Sequence, residues 1–406
     1  MKKKLKNFLL KNYIKKNFIK NNLYSKNTRK LNKIIKDVYK NLDKNKDTFH
    51  ILSKNFILDI DEAKLKKYKK YKSIVLIGMG GSVLGSNAIY SFLKERISKN
   101  FIFLDNLDQL KIEQTIKKVN LKTNLFIIIS KSGNTIETLV NSNLLKNRIS
   151  YKNTIIITEQ KKNLLNEFAR SRKILQIYHK NYIGGRYSVL SEVGMIPAYF
   201  MGLKVSNFRK NLLSFFKTKK NLIYLDSVVM LADIYSSKKI NSIIFLNYTP
   251  QLNKFLFWCQ QLMAESLGKN GKGILPIVSS NPRDHHSLMQ LYLDGPKDKL
   301  FYIFSLNLDK KIKTNANIFG KKFKFAENKK LSEIIESQKK ALIKVFKKKK
   351  IPFREFKINK INEEVLGELF SYFMFETALV GKLININPFN QPAVEEIKIL
   401  TKQYLS

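Results

Sequence analysis

From Tyr71 onward the chain alternates short continuous apolar runs with stretches of helical spacing. SIVLIGMGGS from Ser73 is an apolar run ending in glycines, followed by a helix-like stretch from Val83 to Lys94, then FIFLD from Phe101, LFIIIS from Leu125 and NTIIIT from Asn153. Such runs, separated by helices of about a dozen residues, predict a parallel sheet with helices on its faces. A second round begins near Lys239. INSIIFLNYTP from Ile240 reads as a strand and loop, QLNKFLFWCQQLMAESLG as a helix, and ILPIVSS from Ile274 and LFYIFSL from Leu300 as strands. SEIIESQKKALIKVF from Ser332 has helical periodicity inside the lysine-dense stretch Asp309 to Phe353, and the tail from Glu363 to Leu400 predicts two helices around the turn NPFNQP.

The expected fold class is α/β, with two tandem domains, each a parallel sheet flanked by helices, and helical segments at both ends. The first 72 residues carry 23 basic and 6 acidic side chains at mixed helical spacings, which predicts a helical, surface-lying extension. The resulting division is a basic extension over 1–66, α/β domains over 67–205 and 206–362, and a helical segment over 363–406 that carries Lys398.

Composition narrows the class. With 406 residues, 44% hydrophobic and 26% charged, the chain has enough apolar content for a large core and is long enough for two domains. No apolar run approaches the roughly 18 residues of a membrane span, and the opening MKKKLKNFLLKNYIKK is broken by Lys11, so neither insertion nor secretion is expected. The single cysteine, Cys259, excludes internal disulfides and a cysteine-cluster metal site, as suits a cytoplasmic protein. The net charge of +45 raises the question of nucleic acid. Only 9 of the 76 basic residues are arginine, the side chain that reads bases and phosphates bidentately. A specific nucleic-acid partner is therefore not expected. Nonspecific attraction to polyanions is, and an anionic small substrate gains from the same field.

Two loops could hold a phosphate. IGMGGSVLGS from Ile77 joins a strand to a helix, where backbone N–H groups and the helix dipole favour anions. It fits neither a dinucleotide fingerprint, which would need glycine where Val83 stands, nor a P-loop, which would need lysine where Ser86 stands, although Asp105 mimics the ribose-binding acid of the former. In SKSGNTIET, Ser130, Ser132 and Thr135 supply hydroxyls, Lys131 a charge and Gly133 a permissive backbone. This set suits a phosphate dianion better than a neutral group, with simple helix capping as the alternative.

GMGGSVLGS from Gly78, SKSGNTIET from Ser130, GGRYSVLSEVG from Gly184, ESLGKNGKG from Glu265, HSLMQLYLDG from His286 and NPFNQPAVEEIK from Asn387 occur in that order. Together they resemble the sugar-isomerase domain superfamily and, within it, the glucose-6-phosphate isomerase family. The resemblance implies cofactor-free and metal-free interconversion of glucose 6-phosphate and fructose 6-phosphate in a homodimer. It implies that Gly81, Ser82, Ser130, Lys131, Ser132 and Thr135 surround the phosphate, that Glu265 is the general base acting through an enediolate, and that Arg186 stands beside that intermediate. It further implies that His286, donated by the neighbouring subunit, and Lys398 assist ring opening, and that Gln261 and Gln391 belong to the site. SKSGNT departs from the threonine-rich loop of many members and the chain is short for the family, which leaves substrate breadth, mannose 6-phosphate included, open.

The residue types suit that chemistry. Abstraction from a carbon acid needs a close carboxylate and positive charge where the enediolate forms. On the helix, Leu252, Phe255, Leu256, Cys259 and Met263 make an apolar stripe, with Gln261 and Glu265 four apart in a column beside it. Read without the motif, Glu265 would pair with Lys269 on the surface, and His285 would compete with His286. Asp284 either caps a helix or orients an imidazole. Two other functions compete. A noncatalytic sugar-phosphate sensor would not need Glu265, Arg186, His286 and Lys398 together, and an amidotransferase half lacks its amino-terminal nucleophilic cysteine.

Overall fold

Two sheets enclose a shared layer of buried helices in the computed structural model, which describes residues 7–14, 21–44, 46–216, 222–307, 312–314 and 318–406. The chain enters through β1 (Phe8–Asn12) and α1 (Asn21–Asn41). The first sheet contains β2 (Ser73–Gly78), β3 (Asn100–Leu104), β4 (Asn124–Ile129), β5 (Thr154–Thr158) and β6 (Leu175–Tyr178), all parallel in the order β3-β2-β4-β5-β6. Its crossovers are α2 (Leu84–Leu93), α3 (Gln109–Lys118), α4 (Ile136–Leu144) and α5 (Leu164–Ser171). β4, NLFIII, is buried at every position, as a central parallel strand covered on both faces must be.

After α6 (Glu192–Phe200) and α7 (Leu222–Ser237), the second sheet repeats the plan with β7 (Ser242–Asn247), α8 (Asn253–Leu267), β8 (Leu275–Ser280), β9 (Lys299–Leu306), α9 (Leu331–Lys348) and β10 (Phe353–Ile358). Its order is β1-β10-β9-β7-β8, parallel except for β1, which pairs antiparallel to β10. The chain ends in α10 (Glu363–Leu383) and α11 (Glu395–Leu405). α10 is buried along nearly its whole length, with Phe370, Tyr372, Phe373 and Phe375 inaccessible, and it packs against α1, α7 and α8. Each such ring contributes roughly 1.5–3 kcal/mol through burial.

The amino-terminal segment differs from the surface-lying helical extension. Phe8 and Leu10 of β1 face the core while Leu9 and Lys11 face outward, and α1 buries Leu31 and Val38. The lysines hide a period of two in FLLKN, which is too short to stand out. Residues 1–6, 15–20 and 45 of that extension lie outside the described residues. The strands β6 and β10 are additions to the expected set. β10, FREFKI, carries charges into the interior because each is paired there: Arg354 bonds both Glu376 oxygens (2.7 and 3.1 Å), and Glu355 accepts from Lys339 (3.1 Å).

Candidate active site

In the first sheet β2 lies between β3 and β4, so the connections on either side of it leave in opposite directions. A crevice opens at such a switch point beyond the carboxyl ends of the strands. The turn Gly80–Ser82 leaves β2 there, and the segment Ser130–Thr135 leaves β4. Any Cβ on Gly81 would collide with the Gly185 carbonyl, so glycine is what lets this turn touch the turn Gly185–Leu190, which carries Arg186. Gly133, at φ +71°, has the same relation to the Asn163 side chain. The glycines therefore serve close approach, and the approach builds the crevice.

The helix that follows β7 of the second sheet closes it. α8 packs Leu256, Cys259, Leu262 and Met263 inward, and its other side reaches the two glycine turns. Gln261 and Glu265 stand one turn apart on it, joined by Gln261 Nε2 donating to Glu265 Oε1 at 2.9 Å. Glu265 lies in the last turn of α8, where the helix dipole disfavours an anion. Arg186 offsets this: its NH1 donates to Glu265 Oε2 at 3.2 Å. Arg186 is itself 2% exposed and fully engaged. Its Nε donates to Ser266 Oγ (2.8 Å), its NH2 to the carbonyls of Pro388 (2.7 Å) and Asn390 (3.1 Å), and its NH1 also to Gln391 Oε1. Lys269 does not pair with Glu265 on the surface. It donates to Asn387 O (2.5 Å) and Asn390 Oδ1 (3.0 Å), tying down the loop that holds Arg186. Burial, with Arg186 nearby adding to it and Glu265 opposing, pushes the Lys269 ammonium down to about 8.

The resulting cavity of about 470 Å³ is lined by Gly81, Ser82, Lys131, Ser132, Thr135, Arg186, Gln261, Glu265, Gln391 and Lys398. Ser130 is not on its wall. It is buried, with its Oγ against Thr135 Oγ1 (2.9 Å) and accepting from Gly133 N (3.2 Å), so it shapes the loop. Thr135 occupies the N-cap position of α4 without making a side-chain cap bond, which leaves its hydroxyl facing Ser130 and Ser132. Lys398 is exposed on α11 and pairs with Glu395 (2.6 Å). His286 is exposed after the turn Arg283–His285 and is not on the cavity wall of its own chain. His285 is held by Tyr248 OH (2.7 Å). Asp284 neither caps a helix nor touches an imidazole; it accepts from Ser279 Oγ (3.0 Å), Ser280 N (2.8 Å) and Arg283 Nε (2.8 Å). Asp105 is occupied by Lys111 (3.2 Å). The residue-level reading missed Glu159, Lys161 and Glu395 on the same wall. Glu159 directly follows β5, the next strand along from β4, and that placement was the available signal.

The family model of phosphoglucose isomerase matches residues 21–281. The chain belongs to the phosphoglucose isomerase family. His286, Gln391 and Lys398 lie beyond the span that this model matches, but whole-chain similarities extend further. Glucose-6-phosphate isomerase of Methanocaldococcus jannaschii is 34% identical over 381 residues, covering 91% of this chain and 93% of that protein. The Campylobacter jejuni enzyme of the same name is 29% identical, covering 88% and 91%. Among solved structures, a hypothetical protein from Thermus thermophilus superposes with a TM-score of 0.83 at 22% identity, covering 98% of this chain and all of that one. A glucose-6-phosphate isomerase from Chlamydia trachomatis superposes with 0.78 at 17% identity, covering 99% and 89%. Both superpositions run over both sheets and the terminal helices, and the second shows there the fold of a solved glucose-6-phosphate isomerase.

Proposed function

We propose that this protein is a glucose-6-phosphate isomerase, interconverting glucose 6-phosphate and fructose 6-phosphate. The observation that carries the reading is the meeting, in one cavity, of Glu265 and Gln261 from α8, Arg186 from the turn Gly185–Leu190 and the hydroxyl-rich loop at Ser132 and Thr135. The phosphate binds at Ser82, Lys131, Ser132 and Thr135, through charge-assisted hydrogen bonds. The carbon chain then extends toward α8. Glu265 removes the proton from C2 of the open-chain aldose, electrons move onto the C1 oxygen to give the enediolate, the hydroxyl proton on O2 passes to O1, and Glu265 returns its proton to C1 as the carbonyl forms at C2. Arg186, already fixed by its other acceptors, meets the developing negative charge without reorganising. The reaction is neutral overall and uses the substrate's own proton. Lys398, with His286, transfers the proton between ring oxygen and anomeric hydroxyl that opens the ring.

A homodimer is part of the reading. His286 is exposed and off its own cavity wall, so it serves a cavity only in a second copy. No helix among the described residues is long and apolar enough to cross a membrane, and we place the activity in the cytoplasm.

Purified protein should form fructose 6-phosphate from glucose 6-phosphate, followed by a coupled assay, and should not turn over free glucose. Equal turnover of glucose and its phosphate would refute the assignment of the phosphate loops.

A further inference from the structure

The phosphate end of the cavity contains a carboxylate, the wrong charge for the ligand assigned to it. Glu159 is 7% exposed and lies on the wall with Lys131, Ser132 and Thr135. Its Oε1 is 3.4 Å from Lys131 Nζ and its Oε2 is 2.6 Å from Lys161 Nζ. The backbone holds it there. Glu159 N donates to Lys131 O at 3.2 Å, and the Glu159 carbonyl accepts from the amides of Asn163 (3.4 Å) and Asn166 (2.7 Å). Lys131 has a second anchor, Asn181 O at 2.8 Å, so Glu159 is not needed merely to hold it. The nearby His179 is buried and pushed down to about 4, chiefly by that burial, so it adds no charge near neutral pH. The charges that Glu159 itself meets are thus those of Lys131 and Lys161, while Glu395 and Lys398, paired with each other, also line this wall.

We propose that Glu159 is an internal counter-anion of the phosphate pocket: it bridges Lys131 and Lys161 in the empty cavity, is partly displaced from them by an incoming phosphate, and so makes the pocket select against highly charged anions. The inference rests on the sugar-phosphate reading of the cavity. Its logic is electrostatic. A chain of net charge +45 attracts every anion, and two unopposed lysines at the pocket would hold the most charged ones best. A fixed carboxylate beside the lysines repels each ligand in proportion to its charge. It therefore weakens a phosphate monoester modestly and a pyrophosphate more. The monoester of a sugar regains affinity from its hydroxyls at Gln261, Glu265 and Arg186, which a bare polyanion does not reach. Lys161, 55% exposed at the rim, becomes in this account a second phosphate cation beside Lys131.

The test uses Glu159→Gln, which keeps a hydrogen-bond acceptor and removes the charge, and Lys161→Gln, at an exposed position that does not threaten folding. Inorganic phosphate and pyrophosphate are titrated into the full chain by calorimetry, a readout independent of turnover. Glu159→Gln should bind phosphate about three- to tenfold tighter, and pyrophosphate tighter by a larger factor, as removal of one charge a few ångströms away implies. The KM for glucose 6-phosphate should fall with it while kcat does not rise. Lys161→Gln should weaken both anions. Phosphate binding by Glu159→Gln that is unchanged or weaker would overturn the proposal, and so would unchanged binding by Lys161→Gln, which decides the matter if the first variant does not fold. A wild type that binds phosphate but lacks isomerase activity would instead refute the proposed function, leaving the titrations to judge Glu159 alone.

Discussion

Arg186 and Glu265 face each other with opposite freedoms. The guanidinium has acceptors around its whole plane, drawn from α8 and from the loop before α11, whereas the carboxylate is held by only two donors and remains 31% exposed on its side chain. The fixed member suits charge stabilisation and the freer one proton transfer. Replacing Glu265 with Gln keeps the bond to Gln261 and much of the shape but removes the proton acceptor, so kcat should fall by at least ~10², within the range of about 10² to 10⁴ typical of general bases, while substrate still binds. Proton NMR in deuterated water checks the step itself: the wild type should exchange the C2 proton of glucose 6-phosphate with solvent in those turnovers in which protonated Glu265 loses its proton to water before returning it, and the variant should not. Exchange at near-normal rate would move the base elsewhere. The Gln261 and Glu265 column is legible from helix spacing alone, because the apolar stripe fixes which side of α8 is left over. Arg186 is legible only through its motif, since one guanidinium in a chain with 67 lysines carries no periodic signal. Ser130 reads as a ligand because its hydroxyl type is right; that it turns inward depends on the fold of its own loop, in which it meets Thr135 Oγ1 and accepts from Gly133 N.

At the scale of elements, continuous apolar runs such as LFIII and SIIFL announce their strands, because a strand covered on both faces has no polar side to show. β10 is hidden for the converse reason. Arg354, Glu355 and Lys357 read as surface, and only α9 and α10 supply the Lys339 and Glu376 that neutralise the first two. α10 itself carries a charge whose pairing is incomplete. Burial, aided by Glu364 on the same helix and opposed by hydrogen bonds from Asn7 and Asn211, pushes the Glu368 carboxyl up to about 7. Asn7, leading into β1, donates to it at 2.6 Å, and Tyr224 of α7 faces the same charge. A folded-state value above the unfolded one means that the native chain takes up a proton near pH 7, which the unfolded chain takes up only near the usual carboxylate range. The stability contribution is therefore fully present below that range and is lost as pH rises through about 7. Melting temperature should fall between pH 5 and 8, and Glu368→Gln should flatten that dependence and melt higher than wild type at pH 8. An unchanged pH dependence in the variant would show that other groups set it. Because Glu368 lies where β1 and α7 meet α10, the same variant should leave kcat unaltered.

For the whole molecule, net charge is a poor guide to the cavity. The chain carries +45, yet the wall sets Lys131, Lys161, Arg186 and Lys398 against Glu159, Glu265 and Glu395, which is close to balance. Selection thus depends on where charges stand, and one of the assigned residues, His286, does not stand in the cavity of its own chain at all. Sequence could not show this except through the family resemblance, since nothing in a linear chain distinguishes a residue facing its own crevice from one facing a neighbour's. α11, which carries Lys398, points the same way: it has no buried residue, and Ile397, Leu400 and Leu405 lie open along it, an apolar surface that a second copy would cover. Subunit mixing separates the alternatives. Glu265→Gln and His286→Ala should each be impaired alone. If His286 crosses the interface, a hybrid dimer contains one cavity with both lesions and one with neither. Random reassociation makes half of the dimers hybrid, so about a quarter of all cavities become intact and activity should return to about a quarter of wild type. If each chain supplies its own histidine, no cavity in any hybrid is whole, and mixing should restore nothing.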